Sequence, residues 1–332
     1  MRALRLRAAL AAGLLAGLAG LAGPAGAQSR TQTGFPLVRL DASARTAALA
    51  GAGAVASDDP ATALTNPALL SPEMSRGLAL GYANLLADVN AGTAAYARDV
   101  PVLGGLSVAG VARFLSYGDF ERRTGAAVGA EPEGTFGAGE AALTVVASRE
   151  VLPQFRVGLA AHALFTSVDD AGAQAVAADL GVSYAVPDEG LVLGASVHHV
   201  GAVLSSLGDV PDRLPLDVRV TASKRLRYVP LTVSVSALDL HRFEGPAADS
   251  SAVRRALDHV AVGGELQLGP AFAVRAGYNG RRGGDLRSGG RLDLAGVSVG
   301  AGVALRRVRV DYAFTNWGAF GGLHQFGVRT RL

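Results

Sequence analysis

The feature that most constrains the fold is a strict alternation of apolar and polar residues, clearest in the last nine positions. In that run, two sets of side chains interleave: His324, Phe326, Val328, Thr330 and Leu332 with Gln325, Gly327, Arg329 and Arg331. A period of two places the two sets on opposite faces of a β-strand. One face is mostly apolar and the other carries two arginines. We expect this run to be the closing strand of a transmembrane β-barrel, with its apolar face toward lipid.

The same alternation recurs from residue 77 onward. Four further runs are equally regular, at 216–223, 231–237, 297–306 and 307–315. Weaker runs cover 77–84, 90–99, 105–117, 135–147, 156–168, 175–185, 191–199, 259–268 and 272–279. With the terminal run the total is about fourteen, and bacterial outer-membrane barrels have an even number of strands. The predicted fold class is therefore all-β, an antiparallel transmembrane barrel of about fourteen strands.

The connections between the predicted strands differ in length in a regular way. After odd-numbered strands they include the long segments 118–134, 201–214, 240–258 and 280–291. After even-numbered strands they are mostly short, at 101–104, 187–190, 225–230 and 269–271. Membrane barrels have long extracellular loops and tight periplasmic turns. This asymmetry therefore favours a membrane barrel over a soluble one.

The N-terminus predicts export. Arg2, Arg5 and Arg7 precede an apolar stretch at 8–21, and Ala25-Gly26-Ala27 offers a small-residue cleavage site. These are the parts of a secretory signal peptide, so we expect residues 1–27 to be removed and the protein to reach the outer membrane of a Gram-negative bacterium. The chain contains no cysteine, which excludes disulfides and thiolate metal sites.

Residues 28–75 precede the first predicted strand and do not alternate. We expect a short helix in the Ala-rich stretch 42–50, and a second that starts at Asp58-Asp59-Pro60 and runs to Asn66, where Pro67 ends it. The segment is too short for a core of its own. We predict a plug inside the barrel formed by 76–332, with a periplasmic extension under the barrel mouth as the alternative.

Charged residues share one parity along the strands, which predicts a polar lumen. They are Arg219, Arg275, Arg309 and Arg329, together with Asp217, Glu265 and Asp311. A cation facing lipid near mid-membrane costs about 2–4 kcal/mol, so we expect these groups to face inward and to pair across strands. Candidate aromatics for the membrane interfaces are Tyr82, Tyr96, Tyr117, Tyr184, Tyr228, Tyr312 and Trp317.

The sequence gives few signs of a catalytic or metal-binding site. His198 and His199 are adjacent in a strand and should face opposite sides, so they should not share a metal, and His162, His241, His259 and His324 lack partners at ligand spacing. We expect no metal site, no cofactor and no catalytic constellation. A net charge of +3 also gives no reason to expect nucleic-acid binding.

One loop is rich in arginine. It carries Arg281, Arg282, Arg287 and Arg291 near Asp285 and Asp293. This loop is either a solvated extracellular hairpin or a basic surface that meets lipopolysaccharide phosphates or an acidic partner. Both interpretations place its arginines at the surface.

Several short motifs resemble a known family. At the N-terminal end they are Phe35-Pro36-Leu37-Val38, Ser43-Ala44-Arg45, Asp58-Asp59 and Asn66-Pro67-Ala68-Leu69-Leu70; further along they include Tyr117-Gly118-Asp119-Phe120, Leu214-Pro215-Leu216 and Gly277-Tyr278-Asn279. In their order and spacing, over about residues 35–332, the chain is similar to the PorV/PorQ family of FadL-like outer-membrane barrels, and more to its PorQ-type members. Asn66-Pro67-Ala68 also resembles the plug motif of the FadL fatty-acid transporters, and we expect Arg45 to belong to the plug motif of this chain with them.

The resemblance implies a function. Members of this family belong to type IX protein secretion, so we expect a non-enzymatic barrel that anchors a PorZ-like surface protein in an attachment complex with PorU and PorV homologues, in contact with outer-membrane lipid. The alternative is a FadL-like transporter of hydrophobic small molecules, which needs an apolar pocket in the lumen. The charged lumen positions speak weakly against that alternative.

Overall fold

The computed structural model describes residues 34–53, 57–86, 88–123, 133–208, 212–241, 252–286 and 294–332. The predicted signal peptide, Arg287 and Arg291 lie outside these ranges. Within them, no helix is long and apolar enough to cross a membrane.

The described residues form one closed antiparallel barrel of fourteen strands, in which each strand pairs with its sequence neighbours and the first pairs with the last. The strands are β1 (Gly77–Asn84), β2 (Asn90–Val100), β3 (Leu106–Arg122), β4 (Gly134–Leu152), β5 (Phe155–Val168), β6 (Ala171–Val186), β7 (Leu191–Ser205), β8 (Asp217–Arg225), β9 (Leu231–Ala237), β10 (Val260–Leu268), β11 (Phe272–Asn279), β12 (Val297–Leu305), β13 (Val308–Asn316) and β14 (Gly322–Arg331). The predicted fold class is confirmed.

The two ends of the barrel differ. At one end the connections are the tight turns 101–105, 153–154, 187–190, 226–230, 269–271 and 306–307. The other end has four long loops, at 123–133, 206–216, 238–259 and 280–296, and three short ones, at 85–89, 169–170 and 317–321. By the length rule for membrane barrels, we refer to the first as the periplasmic end and to the second as the extracellular end. Two short helices lie in the extracellular loops, α2 (Ala252–Asp258) and α3 (Gly280–Asp285).

The wall is taller on one side than on the other. Strands β3 to β7 have 14 to 19 residues, whereas β8 to β13 have 7 to 9. The extra length lies at the extracellular end, where Arg122 pairs with Gly134 and Val168 with Ala171. There, Phe120 stacks on Phe136 with 5.4 Å between ring centroids. The tall side therefore carries an ordered projection beyond the length that a membrane requires.

Because side chains alternate along each strand, the outer and inner faces of the wall carry different residues. Outward residues such as Leu80, Leu143 and Phe326 are exposed, as lipid-facing positions should be. Many inward residues are small, and these include Ala79, Ala95, Ala97, Ala109, Ala160, Ala195 and Ala313, all buried. Small inward side chains leave room in the lumen for a further segment of chain.

The described part of the N-terminal segment, 34–53 and 57–76, fills that room, and we call it the plug. It contains α1 (Ala44–Ala48) and four 3-10 helices: Pro36–Arg39, Pro60–Leu64, Pro67–Leu69 and Pro72–Met74. Helix α1 packs against β11 to β14, Pro60–Leu64 against β1 and β2, and Pro67–Leu69 against β4 to β6. The plug thus touches most of the circumference.

The plug helices differ from the predicted ones in their bounds. Helix α1 is shorter than 42–50, because Ser43 caps its start and Ala50 has a left-handed φ of 55°. The second helix ends at Leu64 rather than Asn66, and Pro67 begins a new 3-10 turn instead of ending a helix. Proline suits the first position of a helical turn, where its missing N–H has no partner to lose.

Candidate functional site: the plugged lumen

The plug motif Asn66-Pro67-Ala68 is held by a set of hydrogen bonds in the lumen. The Asn66 Oδ1 accepts from Ala68 N at 2.9 Å, which closes the turn. Its Nδ2 donates to the carbonyl oxygens of Val182 at 3.1 Å and Ala195 at 3.3 Å, on β6 and β7. The Ser183 hydroxyl donates to the Ala68 carbonyl at 3.1 Å. One amide side chain therefore both shapes the turn and ties it to two strands.

Three glycines of the wall make space for this motif. A Cβ on Gly158 would lie 2.2 Å from the Pro67 carbonyl carbon, and one on Gly181 would lie 2.1 Å from Asn66 Oδ1. A Cβ on Gly194 would lie 3.0 Å from Asn66 Nδ2. Real Cβ atoms do not approach to about 2 Å, so Gly158 and Gly181 must be glycine for the plug to sit here, whereas a Cβ at Gly194 would require Asn66 to shift by a few tenths of an ångström. Sequence patterns alone do not reveal this seat.

Arg45, in helix α1 of the plug, takes part in an ionic network with the wall. Its Nε and Nη2 donate to Glu265 of β10 at 2.8 and 3.0 Å, a bidentate pair. Burial by itself lowers the pKa of the Arg45 guanidinium, but its hydrogen bonds and charge pairing with Glu265 outweigh that, and the net pKa is raised above the ordinary value. Arg45 is therefore charged whenever the plug is seated.

The network continues across three more strands. Arg275 of β11 contacts Glu265 and donates to Asp311 of β13 at 2.7 Å, and Arg329 of β14 donates to the other Asp311 oxygen at 2.7 Å. Arg329 also contacts Asp58, so the network returns to the plug. We call this set the ionic latch. The predicted pairing across strands is confirmed here, whereas Arg219 pairs with Asp217 within its own strand.

Apolar side chains cluster in the extracellular part of the lumen, beside β1 to β6 and β14. This buried cluster, which we call the outer compartment, comprises Phe35, Leu37, Ala83, Ala91, Leu115, Ala142, Leu164, Ala173, Ala175 and Leu323. The plug supplies Phe35 and Leu37, which are 3% and 1% exposed, and the wall supplies the rest. Plug side chains therefore occupy a hydrophobic space that the barrel wall lines.

Polar groups at the border of the outer compartment fix the position of the plug by hydrogen bonds to the wall. The Leu37 backbone N–H donates to Glu140 at 2.9 Å, and Arg113 donates to the Leu40 carbonyl at 2.7 Å. Tyr117 faces inward and donates to Glu140 at 2.6 Å. Tyr117 is thus a lumen residue, and the prediction that it belongs to an interfacial girdle is wrong. Trp317 likewise packs against the outer compartment.

A buried histidine network lies in the wall beside the plug. His198 Nδ1 and His162 Nε2 lie 2.9 and 3.0 Å from the same oxygen of Asp179, and Ser196 Oγ lies 2.7 Å from His198 Nε2. The prediction that His198 and His199 face opposite sides is wrong. His199 has a φ of 58°, the ladder shifts register opposite Asp179, and both histidines are buried.

The chemistry open to this network is limited. Ser196, His198 and Asp179 have the spacing of a nucleophile, base and orienting carboxylate. All three are at most 2% exposed, so a substrate cannot reach the hydroxyl. In the described ranges, no group of three or more His, Asp or Glu residues is arranged to hold a metal ion. The network thus satisfies buried polar groups and stiffens the β6–β7 wall.

The arginine-rich loop is only partly at the surface. Arg282 turns inward and donates to Asp41 of the plug at 2.6 Å, so its predicted surface role is wrong. Arg281 pairs with Asp239 and, at 3.5 Å, with Asp285. Both arginines lie in α3, where Gly280 and Gly283 are buried and their lack of a side chain allows the helix to pack closely against its neighbours. Arg282 therefore links an extracellular loop to the plug.

No protein-family profile matches the chain, and no curated protein matches it in sequence. Solved structures do match it in fold. The toluene transporter TodX of Pseudomonas putida is 11% identical, covers 90% of this chain and 98% of its own, and superimposes with a TM-score of 0.53. CymD, a monoaromatic hydrocarbon channel, is 12% identical over 87% of this chain and 96% of its own, with a TM-score of 0.53. At this identity the likeness establishes a FadL-like outer-membrane barrel fold and no more.

Proposed function

We propose that this protein is an outer-membrane channel for hydrophobic small molecules, closed by its own N-terminal plug. The observation that carries the proposal is the outer compartment, where the wall lines an apolar space inside the barrel. An aqueous pore is lined by polar groups, whereas an apolar lining favours the entry of an apolar solute. The fold that this chain shares with TodX and CymD also supports a channel.

Passage would require the plug to move. Phe35 and Leu37 fill the outer compartment, and the ionic latch holds α1 below it. The described wall has no unpaired gap, because each of the fourteen strands is hydrogen-bonded to both of its neighbours. A conducting state must therefore separate at least Phe35 to Leu40 from the wall.

A disulfide that fixes the plug tests this proposal. A Cβ on Gly327 of β14 would lie 3.6 Å from the Ala44 Cβ in α1, within the range of about 3.5–4.5 Å seen in disulfides. The unaltered chain contains no cysteine, so the two introduced thiols can pair only with each other within one molecule. We expect the oxidised Ala44→Cys/Gly327→Cys protein in proteoliposomes to pass a fluorescent long-chain fatty acid at least tenfold more slowly than the same protein after reduction.

The matched control is Ala44→Cys alone, which should be insensitive to oxidation. Equal flux for the oxidised and reduced double variant would show that passage does not require α1 to leave β14. No protein-dependent flux in any form would reject the channel.

A second candidate is the anchoring role in type IX secretion. It is favoured by the tall β3–β7 projection, whose paired strands and stacked Phe120 and Phe136 offer a rigid extracellular surface, and by the motif resemblance. An affinity pull-down from the native outer membrane in mild detergent separates the two functions. Recovery of a large PorZ-like surface protein, with PorU and PorV homologues, supports anchoring. Recovery of the barrel alone with bound fatty acid supports the channel.

A further inference from the structure

The outer wall carries a groove that the lumen does not explain. It has a volume of ≈ 610 Å³ and lies over β2 to β5 on the lipid-facing side. Its floor is formed by Ala94, Gly110 and Ala112, and Tyr96, Leu143 and Val145 rise beside it. A Cβ added to Gly110 would meet no atom within 4 Å, so the floor is open. The groove is therefore a depression in a surface that is otherwise covered by large apolar side chains.

Strand register places the groove and its ends. Outward residues Tyr96, Gly110 and Val145 form one row across the sheet, and Ala94, Ala112 and Leu143 form the next row toward the extracellular end. One row beyond that, the Phe114 ring leans over Gly92, where a Cβ would lie 2.1 Å from Phe114 Cε1. Phe114 therefore closes the groove at its extracellular end.

Two arginines stand at the periplasmic end of the groove. Arg98 of β2 pairs with Val108, and Arg149 of β4 pairs with Leu106, so they flank β3 on the same outward face. Both are exposed, and neither has an ion pair with any carboxylate in the described part of the chain. Two strand spacings of about 4.8 Å separate their strands, and Arg149 lies one row closer to the periplasmic end than Arg98, whose row meets Ala147 on β4. The long side chains can still reach one bound anion from opposite sides.

From this geometry we infer that the groove binds one phospholipid of the periplasmic leaflet, with its phosphate between Arg98 and Arg149 and an acyl chain over Gly110 and Ala112. Four residue steps separate Arg98 from Ala94, a length of about 14 Å along the strand. Half of a hydrocarbon core measures about 15 Å. With the tilt of about 45° that membrane strands have, this length spans about 10 Å along the membrane normal. The groove therefore lies within one leaflet, with its charged end toward the periplasmic headgroups.

The positive charge of Arg98 and Arg149 favours a phospholipid over another protein as the occupant of the groove. Guanidinium groups bind phosphate in a bidentate fashion, and exposed cations beside an apolar groove at a headgroup depth match an anionic lipid. A second copy docked through the same groove by a two-fold axis would bring the same two arginines against them, and like charges that face each other repel. The site is separate from the lumen, so it does not depend on whether the barrel conducts.

Native mass spectrometry of the full-length barrel in a neutral detergent, titrated with palmitoyl-oleoyl phosphatidylglycerol, tests the inference. We expect one lipid to bind before all others. Arg98→Gln/Arg149→Gln should weaken that first binding step at least tenfold. Gly110→Leu/Ala112→Leu should weaken it similarly by filling the floor, and this change keeps the lipid face apolar and compatible with folding.

The control is Arg306→Gln/Arg307→Gln, which removes the same charge from an exposed periplasmic turn away from the groove. It should bind the first lipid within twofold of the unaltered protein. Equal lipid binding by all variants would overturn the inference, and so would detergent as the only adduct. A dimer that disappears when the groove is filled would also overturn it, in favour of an interface between copies.

Discussion

Asn66 joins the plug to the wall with one side chain that serves three backbone groups. Asn66→Asp keeps the acceptor for Ala68 but points a carboxylate oxygen at the carbonyls of Val182 and Ala195. We expect this change to lower the free energy of unfolding by about 2 kcal/mol or more, because it buries an unpaired charge. Urea unfolding in lipid vesicles, followed by the fluorescence of the single tryptophan, measures it.

Two further variants serve as comparisons for Asn66→Asp. Asn66→Ala should cost less than Asn66→Asp, because it removes hydrogen bonds without adding a charge. Asn84→Asp loses one exposed hydrogen bond, to Asn90, and should cost about 1 kcal/mol at most. If Asn66→Asp were as stable as Asn84→Asp, the motif would not be seated as described.

Asp311 is the residue on which the ionic latch depends most. It accepts from Arg275 and Arg329, which are 3% and 5% exposed. Asp311→Asn should destabilise the barrel by about 3–5 kcal/mol, because it leaves two buried guanidinium groups short of a counter-charge. The urea midpoint reports this loss. Asp188→Asn, in an exposed periplasmic turn, is the control and should leave the midpoint unchanged.

At the scale of elements, periodicity predicts strands well and their ends poorly. The run 231–237 coincides with β9, and 216–223 falls within two residues of β8. The tall end of β3 beyond residue 117 escapes prediction, because it is largely exposed on both faces and loses the apolar alternation, whereas β4 is missed at its periplasmic end, where it continues past 147 to Leu152. The bulge at His199 escapes it as well, since the left-handed φ that turns this side chain inward leaves no periodic trace.

Helix α3 and the plug are predicted to be energetically coupled through Arg282 and Asp41. This ion pair joins an extracellular loop to the lumen with side chains that are 22% and 13% exposed. A double-mutant cycle of Arg282→Gln and Asp41→Asn should show a coupling energy of about 1 kcal/mol. A cycle of Lys224→Gln and Glu189→Gln, an exposed pair at the periplasmic end, should show less. Strictly additive effects of the first pair would mean that the loop and the plug are independent.

At the scale of the whole molecule, the barrel and its polar lumen follow from the sequence, whereas the seat of the plug does not. Parity along each strand is sufficient to assign Arg275, Asp311 and Arg329 to the lumen. The glycine seat joins Asn66 to Gly158, Gly181 and Gly194, positions far apart in the chain. Local patterns carry no information about which distant strands converge on one turn. The outer compartment escapes prediction for the same reason.

The orientation of the whole barrel gives the last prediction. The β5–β6 turn (169–170) lies at the end with the long loops, and the β6–β7 turn (187–190) lies at the end with the tight turns. If the long loops are extracellular, Asp170→Cys should react with a membrane-impermeant maleimide on intact cells. Asp188→Cys should react only after the outer membrane is permeabilised. The unaltered protein has no cysteine and is an unlabelled background for both. The reverse pattern would place the long loops, with Arg282 in α3, on the periplasmic side. The charged end of the phospholipid groove would then lie in the outer leaflet.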